Sequence, residues 1–158
     1  MAEELGATFY RYDCRPDKER DMLYDFDVEG IVTRTAAFVK GPIWQAFEAS
    51  LTSPVVILLD EVDKSDRSFD AFLLRILEEC TFTDPKGGEI KGNQNNIAFV
   101  LTTNGRRELR PEVQRRTQRF FFDLPSGHLH TQIVSQMTSA PNSLVSLACK
   151  VAERLRKG

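Results

Sequence analysis

The chain has 158 residues, with 21 Lys+Arg against 23 Asp+Glu and a formal charge of −2. That length suits one domain, or one domain plus a piece of another, and 41% hydrophobic residues suffice for a buried core. Near-neutrality excludes a protein that coats nucleic acid through a broadly positive field. The total hides a split: residues 1–80 carry 9 basic and 17 acidic side chains, a net of −8, whereas residues 81–158 carry 12 and 6, a net of +6. The longest apolar runs, residues 55–59 and 97–101, have five residues each, and a membrane-spanning helix needs about 20. The acidic opening has no apolar signal region. Cys14, Cys80 and Cys149 form no CxxC pair, so the chain reads as cytoplasmic, with three reduced thiols used for packing. His128 and His130, two apart, read as surface side chains and not as a metal site.

In chain order, residues 1–5 look like the last turn of a helix capped by Gly6. Residues 7–14, with Phe9, Tyr10 and Tyr12, have strand composition. The seven carboxylates between Asp13 and Glu29 predict a solvated helix or loop. Gly41-Pro42 opens a short helix over residues 42–50. Residues 55–59 are a continuous apolar run ending in Asp60-Glu61, as in a strand buried on both faces of a parallel sheet. Phe69, Phe72, Leu73, Ile76 and Leu77 then follow at helical spacing. Residues 84–88 form a hairpin tip, residues 97–101 a second buried strand ending at Thr103-Asn104, and residues 119–123, with Phe120, Phe121 and Phe122, a third. Leu144, Leu147, Ala148, Val151 and Leu155 make a final helical stripe. Strand and helix alternate, so the class is α/β.

The sharpest chemical signal is Asp60-Glu61 just past the C-terminal end of a buried strand, the edge where open α/β sheets bind ligands. Such a pair can hold Mg²⁺ and orient or deprotonate an attacking water. Two ordinary acids in a strand-to-loop turn are the alternative. For Arg115-Arg116 the alternatives are a solvated basic turn and a phosphate-reaching guanidinium, which stays charged and binds phosphate bidentately.

The ordered set LLDEVDKSDRSFDAFLLRILEE, LTTN and VQRRTQRFFFDLP resembles the AAA+ ATPase core: Walker B, sensor 1 and an arginine finger in succession. Its wording is most similar to the MoxR branch, and within it to CoxD-like members. The resemblance covers roughly residues 1–138. It implies a partial AAA+ core, three-layer α/β/α with a mostly parallel sheet, over residues 1–138, and the start of a C-terminal helical lid over residues 139–158. It implies ATP and Mg²⁺, with Asp60 placing the ion through water and Glu61 activating the hydrolytic water. Asn104 is implied as the sensor 1 polar group, and Arg116, with Arg115 beside it, as the arginine finger reaching a neighbouring subunit. A homo-oligomer or a partner AAA+ subunit follows.

The GxxxxGK[ST] pattern that cradles phosphates is absent from these residues, and the family's P-loop strand and helix lie just upstream of where the resemblance begins. No residue here can be assigned to the lid's sensor 2 arginine. The family's strand order, 5-1-4-3-2, has the P-loop strand at its centre. Its absence is expected to leave residues 97–101 with an open edge and to separate residues 119–123 from the sheet. Self-association through that edge, domain swapping, or direct pairing of the last strand with strand 4 are the expected results. Without the P-loop the chain is not expected to hydrolyse ATP alone, and a non-catalytic interaction module or degenerate AAA+ subunit is the alternative function. Nucleic-acid binding through Arg106, Arg107, Arg110, Arg115, Arg116 and Arg119 ranks last, because Glu108 and Glu112 dilute the cluster and few aromatics interleave it.

Overall fold

The computed structural model describes residues 4, 6–16, 19–33 and 38–157. Thirteen regular elements follow in chain order: β1 (Thr8–Asp13), β2 (Tyr24–Phe26), α1 (Val28–Thr33), β3 (Phe38–Lys40), α2 (Pro42–Ser50), β4 (Val55–Asp60), α3 (Phe69–Glu79), β5 (Thr81–Thr83), β6 (Glu89–Lys91), β7 (Ile97–Leu101), α4 (Pro111–Arg115), α5 (Gly127–Met137) and α6 (Asn142–Lys157). The chain divides into two compact units, residues 1–118 and 119–158.

The first unit is built on a three-stranded sheet of order β1-β4-β7. Both pairings are parallel, and the register sets Tyr10, Ile57 and Phe99 side by side. β4 is central because its apolar run can be hidden in the middle of a sheet. Val55, Ile57 and Leu59 point into the core, where Tyr10 and Tyr12 of β1 and Ile97, Phe99 and Leu101 of β7 pack against them. On the opposite face Val56 is buried while Phe9 and Val100 are exposed. Helix α2 covers β1 and β4 with Ile43, Trp44, Ala46 and Phe47. Its entry needs Gly41, where a Cβ would lie 2.5 Å from the Asp21 carbonyl oxygen. Helix α3 adds Phe69, Leu73 and Ile76 to the same core, its apolar positions recurring at i, i+4 and i+7. The hairpin β5–β6 is antiparallel, and its Phe82 packs between Trp44 and Phe47 at ring distances of 5.5 and 5.8 Å.

Three expectations are corrected. Residues 119–123 form no strand: Phe120, Phe121 and Phe122 are 71%, 88% and 93% exposed. They do not pair with β7 either, so the rearranged sheet is not adopted and β7 remains an edge. The reason is backbone satisfaction, since an apolar run becomes a strand only where a neighbouring strand accepts its hydrogen bonds. The acidic stretch after Asp13 is not simply solvated: it folds into a 3-10 turn over Glu19–Met22 and into β2, which pairs antiparallel with β3. Met22 and Leu23 are buried there. The expected helix over residues 1–5 lies almost wholly outside the described residues, though Gly6 has the left-handed φ of +61° that its cap requires.

In the second unit α5 and α6 form a helical pair. Its buried positions are Val145 and Cys149, whereas Leu144, Leu147, Val151 and Leu155 of the expected stripe are exposed. All three cysteines are buried, and none forms a disulfide among the described residues. No helix among the described residues is long and apolar enough to cross a membrane.

Candidate functional site

The parallel register determines the site. Leu59 lies beside Leu101, so the residues that follow, Asp60 and Thr102, leave adjacent strands at the same level. The Thr102 hydroxyl donates to Asp60 Oδ1, and on the other side Arg11 Nη2 of β1 donates to Asp60 Oδ2 at 2.6 Å. Arg11 also donates through Nε to Asp13 Oδ1 at 2.7 Å. The hydrogen bond and charge of Asp13, then the charge of Asp60, raise the Arg11 pKa above its ordinary value. Asp60 is thereby fixed at the mouth of the sheet, with both oxygens engaged.

Glu61 follows in left-handed conformation, φ 54° and ψ 51°, which a non-glycine residue adopts only at a cost. Its N–H donates to Thr102 Oγ1 at 2.8 Å, and the next N–H, of Val62, donates to the Thr102 carbonyl at 2.9 Å. The turn therefore aims the Glu61 side chain across to the loop after β7. There Asn104 Nδ2 donates to Glu61 Oε1 at 2.5 Å, and Lys64 pairs with Glu61 Oε2. Asp60, Glu61 and Asn104, expected together from the sequence, are brought together at one end of the sheet.

The loop that carries Asn104 is anchored by two buried acids. Asp63 Oδ2 accepts from the backbone N–H groups of Arg106 at 2.8 Å and Asn104 at 3.2 Å. Burial pushes the Asp63 carboxyl up, but these two hydrogen bonds, together with those from its own backbone N–H and the Thr103 side chain, outweigh it, and its pKa lies below the usual carboxylate value. Asp70 of α3 is fully buried and takes a bidentate pair from Arg107, at 2.8 and 3.1 Å, plus the Arg110 N–H at 2.8 Å. Arg107 also donates to the Ser65 carbonyl at 2.7 Å. This guanidinium is therefore used inside the chain and is removed from the arginine cluster that a nucleic acid would meet.

Arg115 and Arg116 end α4 and differ in their surroundings. Arg116 is paired through its guanidinium with Glu78 of α3 and donates from Nη1 to the Glu112 carbonyl at 2.8 Å. Arg115 is exposed and has no hydrogen bond or ion pair among the described residues. His128 is exposed and His130 half-buried, and no cluster of three or more His, Cys, Asp or Glu able to hold a metal occurs among the described residues. The Asp60 carboxylate and the Thr102 hydroxyl are hard oxygen donors of the kind Mg²⁺ takes beside water and phosphate. They suit an ion that arrives with a phosphate ligand, not one held by the protein alone.

Arg11, Thr102, Asp63 and Asp70 did not emerge from motif reading. Thr102 was within reach, because a polar residue level with Asp60 follows from aligning the two five-residue apolar runs, 55–59 and 97–101, in parallel. Arg11 and Asp70 were not, since only tertiary packing reveals what faces them.

Residues 39–146, more than half of the chain, match the AAA domain (Cdc48 subfamily) family, and the chain belongs to it. Over 114 residues it is 30% identical to the chloroplastic chaperone protein ClpC4 of Oryza sativa subsp. japonica, an alignment that covers 66% of this chain and 12% of that relative. The chain thus spans about an eighth of this curated relative's length. Among solved structures, a candidate ATPase of Cytophaga hutchinsonii superposes with a TM-score of 0.57 at 16% identity, covering 84% of this chain and 38% of that one. That likeness establishes the α/β fold as a partial AAA+ fold with a parallel three-stranded sheet. NtrX of Brucella abortus also matches, over 73% of this chain and 23% of its own, at 18% identity and a TM-score of 0.47, too low to carry weight.

Proposed function

We propose that the chain is the core of a MoxR-type AAA+ ATPase of the CoxD-like kind, a cytoplasmic remodelling or metal-insertion chaperone that works as an oligomer. The supporting observation is the paired end of two parallel strands, where Thr102 holds Asp60 and Asn104 holds Glu61. In this reading Asp60 places Mg²⁺ through water, Glu61 takes the proton of the attacking water, and Asn104 orients that water and the terminal phosphate. Bound ATP·Mg²⁺ would supply the phosphoryl group and the charge that these side chains organise. Because Arg116 is paired with Glu78, the exposed Arg115 is the better placed of the two to reach a neighbouring subunit's phosphate, with Arg116 fixing α4 beneath it. Residues 1–138 make the large subdomain and residues 139–158 begin the lid.

A second reading is a non-catalytic AAA+ module that lends Arg115 or a binding surface to a partner subunit, and the exposure of Arg115 favours it. Calorimetric titration with MgATP separates the two. Micromolar binding, kept in Glu61→Gln, supports the ATPase core. No heat at millimolar MgATP assigns the chain by itself to the module.

A further inference from the structure

Asp63 is only 5% exposed, belongs to neither reading as a reacting group, and yet has its carboxylate turned to the loop that carries Asn104. One oxygen, Oδ2, accepts from both the Asn104 and the Arg106 N–H groups. The two donors converge because Gly105 between them has φ +74°. A left-handed residue set between two N–H groups can turn them into a concavity that accepts an anion. Here the anion is the protein's own carboxylate. The turn that bears Asp63 is in turn locked to the end of β7 by the Glu61 and Val62 N–H bonds to Thr102. The backbone of residues 104–106 is therefore held at a set height relative to Glu61, which lets the Asn104 amide donate to Glu61 Oε1.

We propose that Asp63 is a positioning residue: by occupying the N–H concavity of residues 104–106 it sets the Asn104 side-chain amide against Glu61. The assignment rests on the reading of Glu61 and Asn104 as the water-handling pair, but the hydrogen bonds it concerns lie wholly within this chain. It distinguishes Asp63 from Asp70, which anchors the far end of the same loop through hydrogen bonds from Arg107 and Arg110.

The test is amide spectroscopy and hydrogen exchange on the nucleotide-free chain. In Asp63→Ala the backbone N–H groups of Asn104 and Arg106 exchange roughly tenfold faster or more, as loss of a charge-assisted acceptor entails, and the Asn104 side-chain amide resonance moves toward that of a free amide. In Asp63→Asn both features are retained, because a single amide oxygen can take the place of Oδ2. The Arg110 N–H, held by Asp70, is unchanged in both variants. Gly105→Ala, which strains the loop from the other side, reproduces the alanine result and serves if Asp63→Ala folds poorly. An Asn104 side-chain signal unmoved in Asp63→Ala or Gly105→Ala, or an Asp63→Asn variant as perturbed as Asp63→Ala, overturns the proposal. Failure of the MgATP titration leaves this result standing and removes only the functional reading, so the two outcomes are separable.

Discussion

β4 and residues 119–123 are both short apolar runs closed by an aspartate, and they end in opposite conditions. Val55, Ile57 and Leu59 are almost completely buried, with a parallel strand bonded on each side. Phe120, Phe121 and Phe122 have comparable hydrophobicity and strand preference, but no neighbouring strand and almost full exposure. Hydrophobicity brings a segment toward a core, and backbone hydrogen bonding decides whether it becomes part of a sheet.

Substitutions should reproduce that contrast in order of size. Arg107→Leu, which strands the fully buried Asp70 carboxylate, is expected to cost about 3–5 kcal/mol, read from the urea midpoint. Leu59→Ala removes packing at the centre of β4 and is expected to cost about 2–5 kcal/mol. Asp63 adds a pH-dependent contribution. Its folded pKa is depressed, so its stabilisation is complete above the unfolded value of about 3.9 and is lost as pH falls toward the folded one. Asp63→Asn should flatten that acid limb of the stability–pH curve, and an unchanged limb would show that other carboxylates set it. Arg116→Ala, which breaks an exposed pair with Glu78, should cost no more than about 1 kcal/mol. Phe121→Ser should lie within roughly 0.5 kcal/mol of the parent. A loss above about 2 kcal/mol there would mean that the phenylalanines are buried in solution by a second copy, and a lowered mass in light scattering would confirm it.

Much of the first unit could be read before any coordinates. β4 and α3 carry the strongest patterns in the chain, an unbroken apolar run and a 3.6-residue period, and α2 is announced by Gly41-Pro42. Each of these depends on local preference that the core then reinforces. β2 and β3 escaped because three-residue strands have no room for a pattern, and the carboxylates around Met22 and Leu23 masked the buried face. The strand assigned to residues 119–123 shows the converse: its composition is right, and the missing ingredient is a partner that no property of those five residues can supply. At the site, Asp60, Glu61 and Asn104 were legible because each lies at or just past the C-terminal end of an apolar strand. Arg11 and Asp70 were not, since their roles arise from what faces them across 49 and 37 residues of sequence.

The left-handed backbone at Glu61 bears on how this chain could be changed. Glycine would relieve about 1 kcal/mol of local strain at that position, and the contacts it would give up, with Asn104 and Lys64, are partly exposed. A library of variants selected for heat resistance alone should therefore accumulate glycine at position 61 and erase the carboxylate that meets Asn104. A library selected for a nucleotide-dependent readout should keep glutamate there against the backbone's preference. Sequencing the two pools at one codon would show whether this turn is retained for its shape or for its charge.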